Sequence, residues 1–376
     1  MDADEAARAA SGSVVLRCRD LDANVDVLVE RLGFRRSLVS PADDPRRVIV
    51  ERGRLTVDVR RSDRDVPVEL VIGSTTTGSA SDEITLPNGS TIVVEPSVET
   101  IDVPDSQPGL VVTPGGVGDF GTGRAGMSYR DLLPGRWGGR FISSHIHITD
   151  GGEVADWVHF HRIRFQLIHV ASGWVDVVYE DQGEPFRMHA GDTVVQPPEI
   201  RHRVLRSSPR LDVIEVGCPA EHDTIADHVL PLPNDRVDPD RVFGGQRFVH
   251  PHRVDRRSFP WIIEGIEARS SGLGEATGAL GDVTTLMVGP DAIGRRLTVD
   301  AASEFVQLVS TGTGSATITV TETGGRDRDV VLDRFAAVAM PPGSGWTWTH
   351  VDDGHEVVLV ELPAGAVHSR RRVSSD

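Results

Sequence analysis

The chain has no lysine: all 39 basic residues are arginine, set against 56 acidic ones for a formal net charge of −17. Without that amine, Schiff-base catalysis through a lysine is excluded. The negative field also disfavours nucleic acid as a partner, because it repels phosphate. The arginine-rich end, SRRRVSSD, is too short to reverse this and is expected to fray. Cysteine is nearly absent. Cys18 and Cys218 lie far apart and fit neither a disulfide framework nor a cysteine metal motif, which points to a reducing, cytoplasmic setting. No apolar run approaches the ~20 residues that span a bilayer, so no membrane partner is expected. The opening MDADEAARAASGS is acidic and lacks a charged-then-apolar leader pattern.

Helical periodicity is scarce as well. What is present is period-2 alternation, as in TITVTET, WVDVVYE and VVLVELP, broken by turns rich in the chain's 39 glycines and 23 prolines. That is the pattern of sandwiches and barrels. At 376 residues the chain exceeds one ordinary core, so two or three domains are expected.

One helix stands out near the start. SVVLRCRD reads as a strand, and LDANVDVLVERLG as a helix with Asp20 as N-cap and Gly33 as stop. RRVIVERG and RLTVDVRR read as further strands. This βαβββ order, over roughly residues 13–60, resembles one half-module of the vicinal oxygen chelate (glyoxalase-like) family. In that family a first-strand histidine often binds metal; Ser13 stands about there, and no histidine precedes His145. With no second copy in the sequence, a structural or dimerising role is favoured. GSTTTGSASDE (73–83) reads as a flexible polar insertion. LPNGSTIVVEPS suits a strand pair about Asn88-Gly89. TPGGVGDFGTGRAG (113–126) reads as a linker.

Eleven of the 14 histidines fall between His145 and His252. Side chains at i and i+2 of a strand share a face, so His159 and His161 point the same way. Gly152, His159, His161, Gln166 and Gly173 follow the spacing of the first motif of the cupin family, and Gly191, Pro197 and His202 follow that of the second. The chain resembles the cupins in these residues. It departs from them at Gln166, where a glutamate ligand is usual, at Glu199, where a glycine is usual, and at Arg206, where an asparagine is usual. The resemblance implies a jelly-roll barrel. It further implies one divalent metal held by His159, His161 and His202, Fe(II) in preference, with Zn, Mn, Ni or Cu as alternatives.

By strand parity Gln166, Arg164 and Tyr179 are candidates to act on a substrate, with Arg164 or Arg206 gripping an anion. His145 and His147 repeat the i, i+2 pattern one strand earlier; they either cover the barrel or contact substrate. His169, His189 and His222 have no spacing argument.

Aligning Gln307-x6-Gly314 on Gln166-x6-Gly173 puts Asp300 and Ala302 at the places of His159 and His161, and Trp346 at that of His202. This reads as a second, degenerate cupin. The expected fold class is therefore mainly β, with two jelly-roll barrels after a small α+β βαβββ domain. The expected domains are 1–112 for the glyoxalase-like part, 127–232 for the metal-binding cupin and 241–365 for the degenerate one, with PLPNDRVDPD joining the barrels. Trp346, Trp348 and His350 either fill that core or form an aromatic pocket.

The function expected first is a non-haem Fe(II) dioxygenase acting on a small anionic or enolisable molecule. A metal-assisted isomerase, lyase or hydrolase is the alternative, and a non-catalytic small-molecule-binding bicupin the third. No helix-turn-helix pattern supports a DNA-binding regulator. Barrel edges and the lone half-module suggest a homodimer.

Overall fold

A computed structural model describes residues 12–53, 55–74, 82–96, 101–116, 120–249 and 258–369. Most of the expected polar insertion (75–81) and the C-terminal arginines (370–372) lie outside the described residues, as does most of the acidic start. The chain divides into two compact units, Met1–Thr100 and Ile101–Asp376. No helix among the described residues is long and apolar enough to cross a membrane.

The first unit contains β1 (Val14–Cys18), α1 (Leu21–Asp26), β2 (Arg35–Ser40), β3 (Arg47–Arg52) and β4 (Leu55–Arg61). Asp20 caps α1 by accepting the Ala23 N–H at 3.0 Å; α1 runs on into a π-helical turn over Val27–Arg31, after which Gly33 turns the chain away at φ +69°. The strands order as β1-β4-β3-β2, with β1 parallel to β4. A second small sheet follows from β5 (Glu69–Ser74), β6 (Asp82–Thr85) and β7 (Thr91–Pro96). Its β6–β7 hairpin turns at Asn88-Gly89, with Gly89 at φ +81°.

In the second unit, β8 (Val111–Thr113) comes first, then β9 (Gly121–Thr122), β10 (Ser128–Asp131), β11 (Ile142–Ile148), β12 (Gly152–Glu153), β13 (His159–His161) and β14 (Phe165–Ser172). β15 (Trp174–Tyr179), β16 (Phe186–His189), β17 (Thr193–Val195), β18 (His202–Ser207), β19 (Leu211–Cys218) and β20 (Thr224–Ala226) complete the first barrel. A small hairpin, β21 (Val242–Phe243) and β22 (Gln246–Arg247), leads into β23 (Phe259–Pro260), β24 (Ile266–Ser270), β25 (Asp282–Val288), β26 (Arg296–Val299) and β27 (Phe305–Ser310). The chain ends in β28 (Ala316–Thr321), β29 (Asp327–Leu332), β30 (Ala337–Ala339), β31 (Gly345–Val351), β32 (Glu356–Leu362) and β33 (Val367–Ser369).

The duplication is written in the sheet orders. The first barrel has β17-β14-β19-β11-β10-β9 and β16-β15-β18-β13-β20; the second has β30-β27-β32-β25-β24-β23 and β29-β28-β31-β26-β33. Apart from β12 and β8, each strand has a counterpart in the same place, so two jelly rolls follow one plan. β8 adds to the outer edge of β30 and so belongs to the second barrel, not to the first unit as the expected boundary at 112 had it.

The register also corrects the alignment of the copies. His159 faces His202 across β13 and β18; in the same place Leu297 faces Trp346 across β26 and β31. His161 faces Thr224 where Val299 faces Val367. The Gln166 carbonyl accepts the Gln196 N–H as the Val306 carbonyl accepts that of Met340. The counterparts of His159, His161 and Gln166 are thus Leu297, Val299 and Val306, not Asp300, Ala302 and Gln307. A longer loop before β27 breaks the spacing. Asp300 sits near the surface beside His368, at 3.1 Å. Leu297, Val299, Val306, Trp346 and Trp348 are all core of the second barrel, at most 3% exposed. The tryptophans fill that barrel rather than line a pocket.

The two barrels share a core. Phe141 stacks on Phe305 at 4.5 Å, and Phe165, Leu167 and Val216 pack in one cluster with Val283, Val358 and Val360. At its rim, Glu304 accepts two hydrogen bonds from Arg164 at 2.9 Å each and one from Arg140 at 2.8 Å.

Candidate metal centre

One ring nitrogen from each of His159, His161 and His202 lies within 4.8 Å of the other two. Two features of the chain produce this. The period of β13 sends His159 and His161 to one side, and β18 opens with His202 directly opposite His159. The turn before β18 is bent at Glu199, whose φ of +62° is the left-handed conformation that the motif's usual glycine adopts without strain.

The remaining nitrogens are tied back. Nδ1 of His159 bonds the Trp157 carbonyl at 2.7 Å, Nδ1 of His202 the Ile200 carbonyl at 3.0 Å, and Nδ1 of His161 the Thr224 hydroxyl at 3.0 Å. A carbonyl only accepts, so His159 and His202 carry their proton on Nδ1 and keep Nε2 as the acceptor, which in His159 receives a hydrogen bond from Arg124. Burial holds all three rings below the usual histidine range, His161 down to about 2, and their mutual charges and Arg124 add to this. Neutral, oriented imidazoles are the form that ligates a metal. Gln166 adds a further donor: its Oε1 is buried without a hydrogen-bond partner, while its Nε2 donates to Glu215 Oε1 at 2.6 Å. The donor set fits a divalent cation.

Several groups here escaped sequence analysis. Arg124 donates from Nη2 to His159 Nε2 at 2.8 Å and also pairs with the buried Asp156. It lay hidden in a glycine-rich stretch that reads as a linker. Asp156 in turn accepts the Val204 N–H at 2.9 Å, fixing β18. His222 lies edge-on to His161 with ring centres 5.3 Å apart. Glu215, on β19, lines the same cavity. It faces Ile168 where Leu359 faces Leu308 in the second barrel, so the copy without histidines also lacks this carboxylate.

Of the other expected residues, Tyr179 reaches the cavity, stacked 5.4 Å from His202, with its hydroxyl accepting from Gln196 Nε2 at 2.9 Å. Burial pushes its phenol well above the ordinary range. Four expectations need correcting. Arg164 does not face the cavity: it precedes β14, outside the strand's alternation, and its guanidinium is spent on Glu304. Arg206 does not either. The β15–β18 register skips Leu205, and this bulge turns Arg206 to the outer face, where it is exposed. His145 and His147 point the opposite way from the cavity-lining Ser144, Ile146 and Ile148. Both bond one oxygen of Asp212, at 2.8 Å each, and His145 stacks on Phe335 of the second barrel at 4.1 Å.

No family model matches the chain, and no curated protein matches it. Among solved structures it is similar to an oxalate decarboxylase of Bacillus subtilis studied for its Mn(II) centres, at 14% identity over 65% of this chain and 74% of that one, TM-score 0.47. It is likewise similar to the formate complex of Lactobacillus farciminis oxalate decarboxylase, at 13% identity over 69% of this chain and 91% of that one, TM-score 0.47. Likeness at this level carries neither metal nor substrate across.

Proposed function

We propose that the first barrel is the reactive half of a metal-dependent enzyme acting on a small anionic or enolisable molecule. His159, His161 and His202 hold one divalent ion. The observation that carries this is that one ring nitrogen of each histidine lies within 4.8 Å of the other two while each Nδ1 is hydrogen-bonded behind its ring; an ion would displace the Arg124 guanidinium from His159 Nε2. A bound ion would supply a +2 electrophile with open positions for an anionic oxygen.

The chain's own groups divide the remaining work. Arg124, anchored on Asp156, neutralises the substrate's charge beside His159. Asp156 keeps the guanidinium in place when its contact to His159 is given up. Gln166 holds Glu215 with its amide and keeps an unpartnered Oε1 that a ligand could engage. Glu215 accepts or returns a proton at its carboxylate oxygen. The apolar walls exclude water from these groups.

In its finer form the proposal is an Fe(II) dioxygenase. A lyase or isomerase reading is favoured by one feature, Glu215, since a carboxylate poised beside the ion suits proton movement to and from an enolate. Turnover of small keto acids and diketones by Fe(II)- and Mn(II)-loaded protein, with and without O2, separates the two. Products that appear only with Fe(II) and O2 support the dioxygenase; products without O2 support proton chemistry. No turnover with either metal on any such substrate leaves a binding protein and overturns the enzyme proposal.

A further inference from the structure

We infer that the substrate carries an extended apolar body, which lies along the barrel axis behind the polar head held at the histidines; this rests on the metal-centre proposal above. The cavity has a volume of about 570 Å³, well within the range that encloses drug-sized ligands and far more than a two-carbon acid needs.

Its walls change character in one direction along β14, β15, β18 and β19, and along β11 from Ser144 onward. Along β15 the inward residues run Tyr179, Val177, Val175; along β19 they run Glu215, Val213, Leu211. β11 follows suit, with Ser144 beside Glu215, Ile146 beside Val213 and Ile148 beside Leu211. β14 passes from Gln166 to Ile168 and β18 from His202 to Val204. Four residues of strand span about 13 Å. On these strands the polar residues lie at the end that carries the histidines, and the far end, with Met188 on its wall, is largely hydrocarbon, with Tyr129 and Thr122 of β10 and β9 as polar exceptions. The matching barrel core in the second copy is filled by Trp346 and Trp348, so an open apolar interior is not a requirement of the fold.

A small dianion would leave the lower cavity apolar and vacant. A monocarboxylate or keto acid with an alkyl or aryl tail fills it, with Arg124 and the ion at the head. Ile146, Val175 and Met188 then set the accepted tail length.

The test is calorimetric binding of oxalate, butanoate, octanoate and dodecanoate to metal-loaded wild type and Met188→Trp, with metal content read on both. Each methylene should tighten binding about fourfold until the barrel is full. Met188→Trp should keep its metal and its butanoate affinity but lose at least tenfold for the longest acid that wild type binds. Affinity independent of chain length, or oxalate as the tightest ligand, overturns the inference even where the metal is bound. A protein that takes up no metal yet shows the chain-length series refutes the metal-centre proposal and leaves the apolar site standing.

Discussion

Glu215 and Gln166 form one unit: the amide of the glutamine is committed to the carboxylate, and its oxygen is buried without a hydrogen-bond partner. Substituting Glu215→Gln should therefore leave metal content near wild type while lowering turnover by about 100-fold or more. A variant that retains turnover would show that Glu215 only orients Gln166. The shared face of His159 and His161 on β13 was legible in the sequence because i, i+2 spacing has one meaning on a strand. Arg124 was not, since nothing in a glycine-rich stretch announces that it folds back onto a histidine 35 residues later. Glu215 was hidden for a different reason: alternate carboxylates on a strand look alike until the sheet has an inside.

At the scale of elements, register decides what parity can only suggest. A single bulge at Leu205 turns Arg206 outward while leaving His202 and Val204 inward, and no local signal in RHRVLRS marks it. The longer loop before β27 hides the counterparts of the histidines in the same way. β25 and β32 carry a second consequence of register, because Asp282 and Glu361 stand directly opposite each other. Burial pushes the Glu361 carboxyl up from 4.5 to about 7, helped by Asp282 and opposed by the Val367 and Ala366 N–H groups. An acid whose pKa is higher folded than unfolded holds its proton better in the native state. Stability is then greatest below pH 4.5, declines as pH rises toward about 7, and stays lower above that. The loss is on the order of 3 kcal/mol. Glu361→Gln should remove most of this slope, as read from denaturant midpoints at about pH 5, near the unfolded value, and about pH 8, above the folded one. An unchanged slope would place the titration elsewhere.

For the molecule as a whole, the barrels behave as one body because their facing sheets share an apolar core and not because of the ion pairs at its edge. Phe305 is fully buried against Phe141 and Trp137, so Phe305→Ala should cost about 3–5 kcal/mol. The Arg164–Glu304 pair is about a third exposed, and Arg164→Ala should cost about 1 kcal/mol or less. Calorimetry should show one transition for both barrels in the wild type. Two resolved transitions would contradict a shared core. The double-barrel plan was readable from turn spacing and the two motif-like stretches, whereas the packing of one barrel on the other was not, because sheet-to-sheet contact leaves no periodic mark.

The central claim is that three oriented imidazoles hold one ion. Element-resolved analysis of protein purified without a chelating tag, wild type beside His161→Ala, tests it most directly. The expected result is about one transition metal per chain in wild type, after Fe(II) or Mn(II) loading if needed, and a loss of at least tenfold in the variant. A wild type that holds no metal under any loading, or a variant that holds as much, would contradict the account.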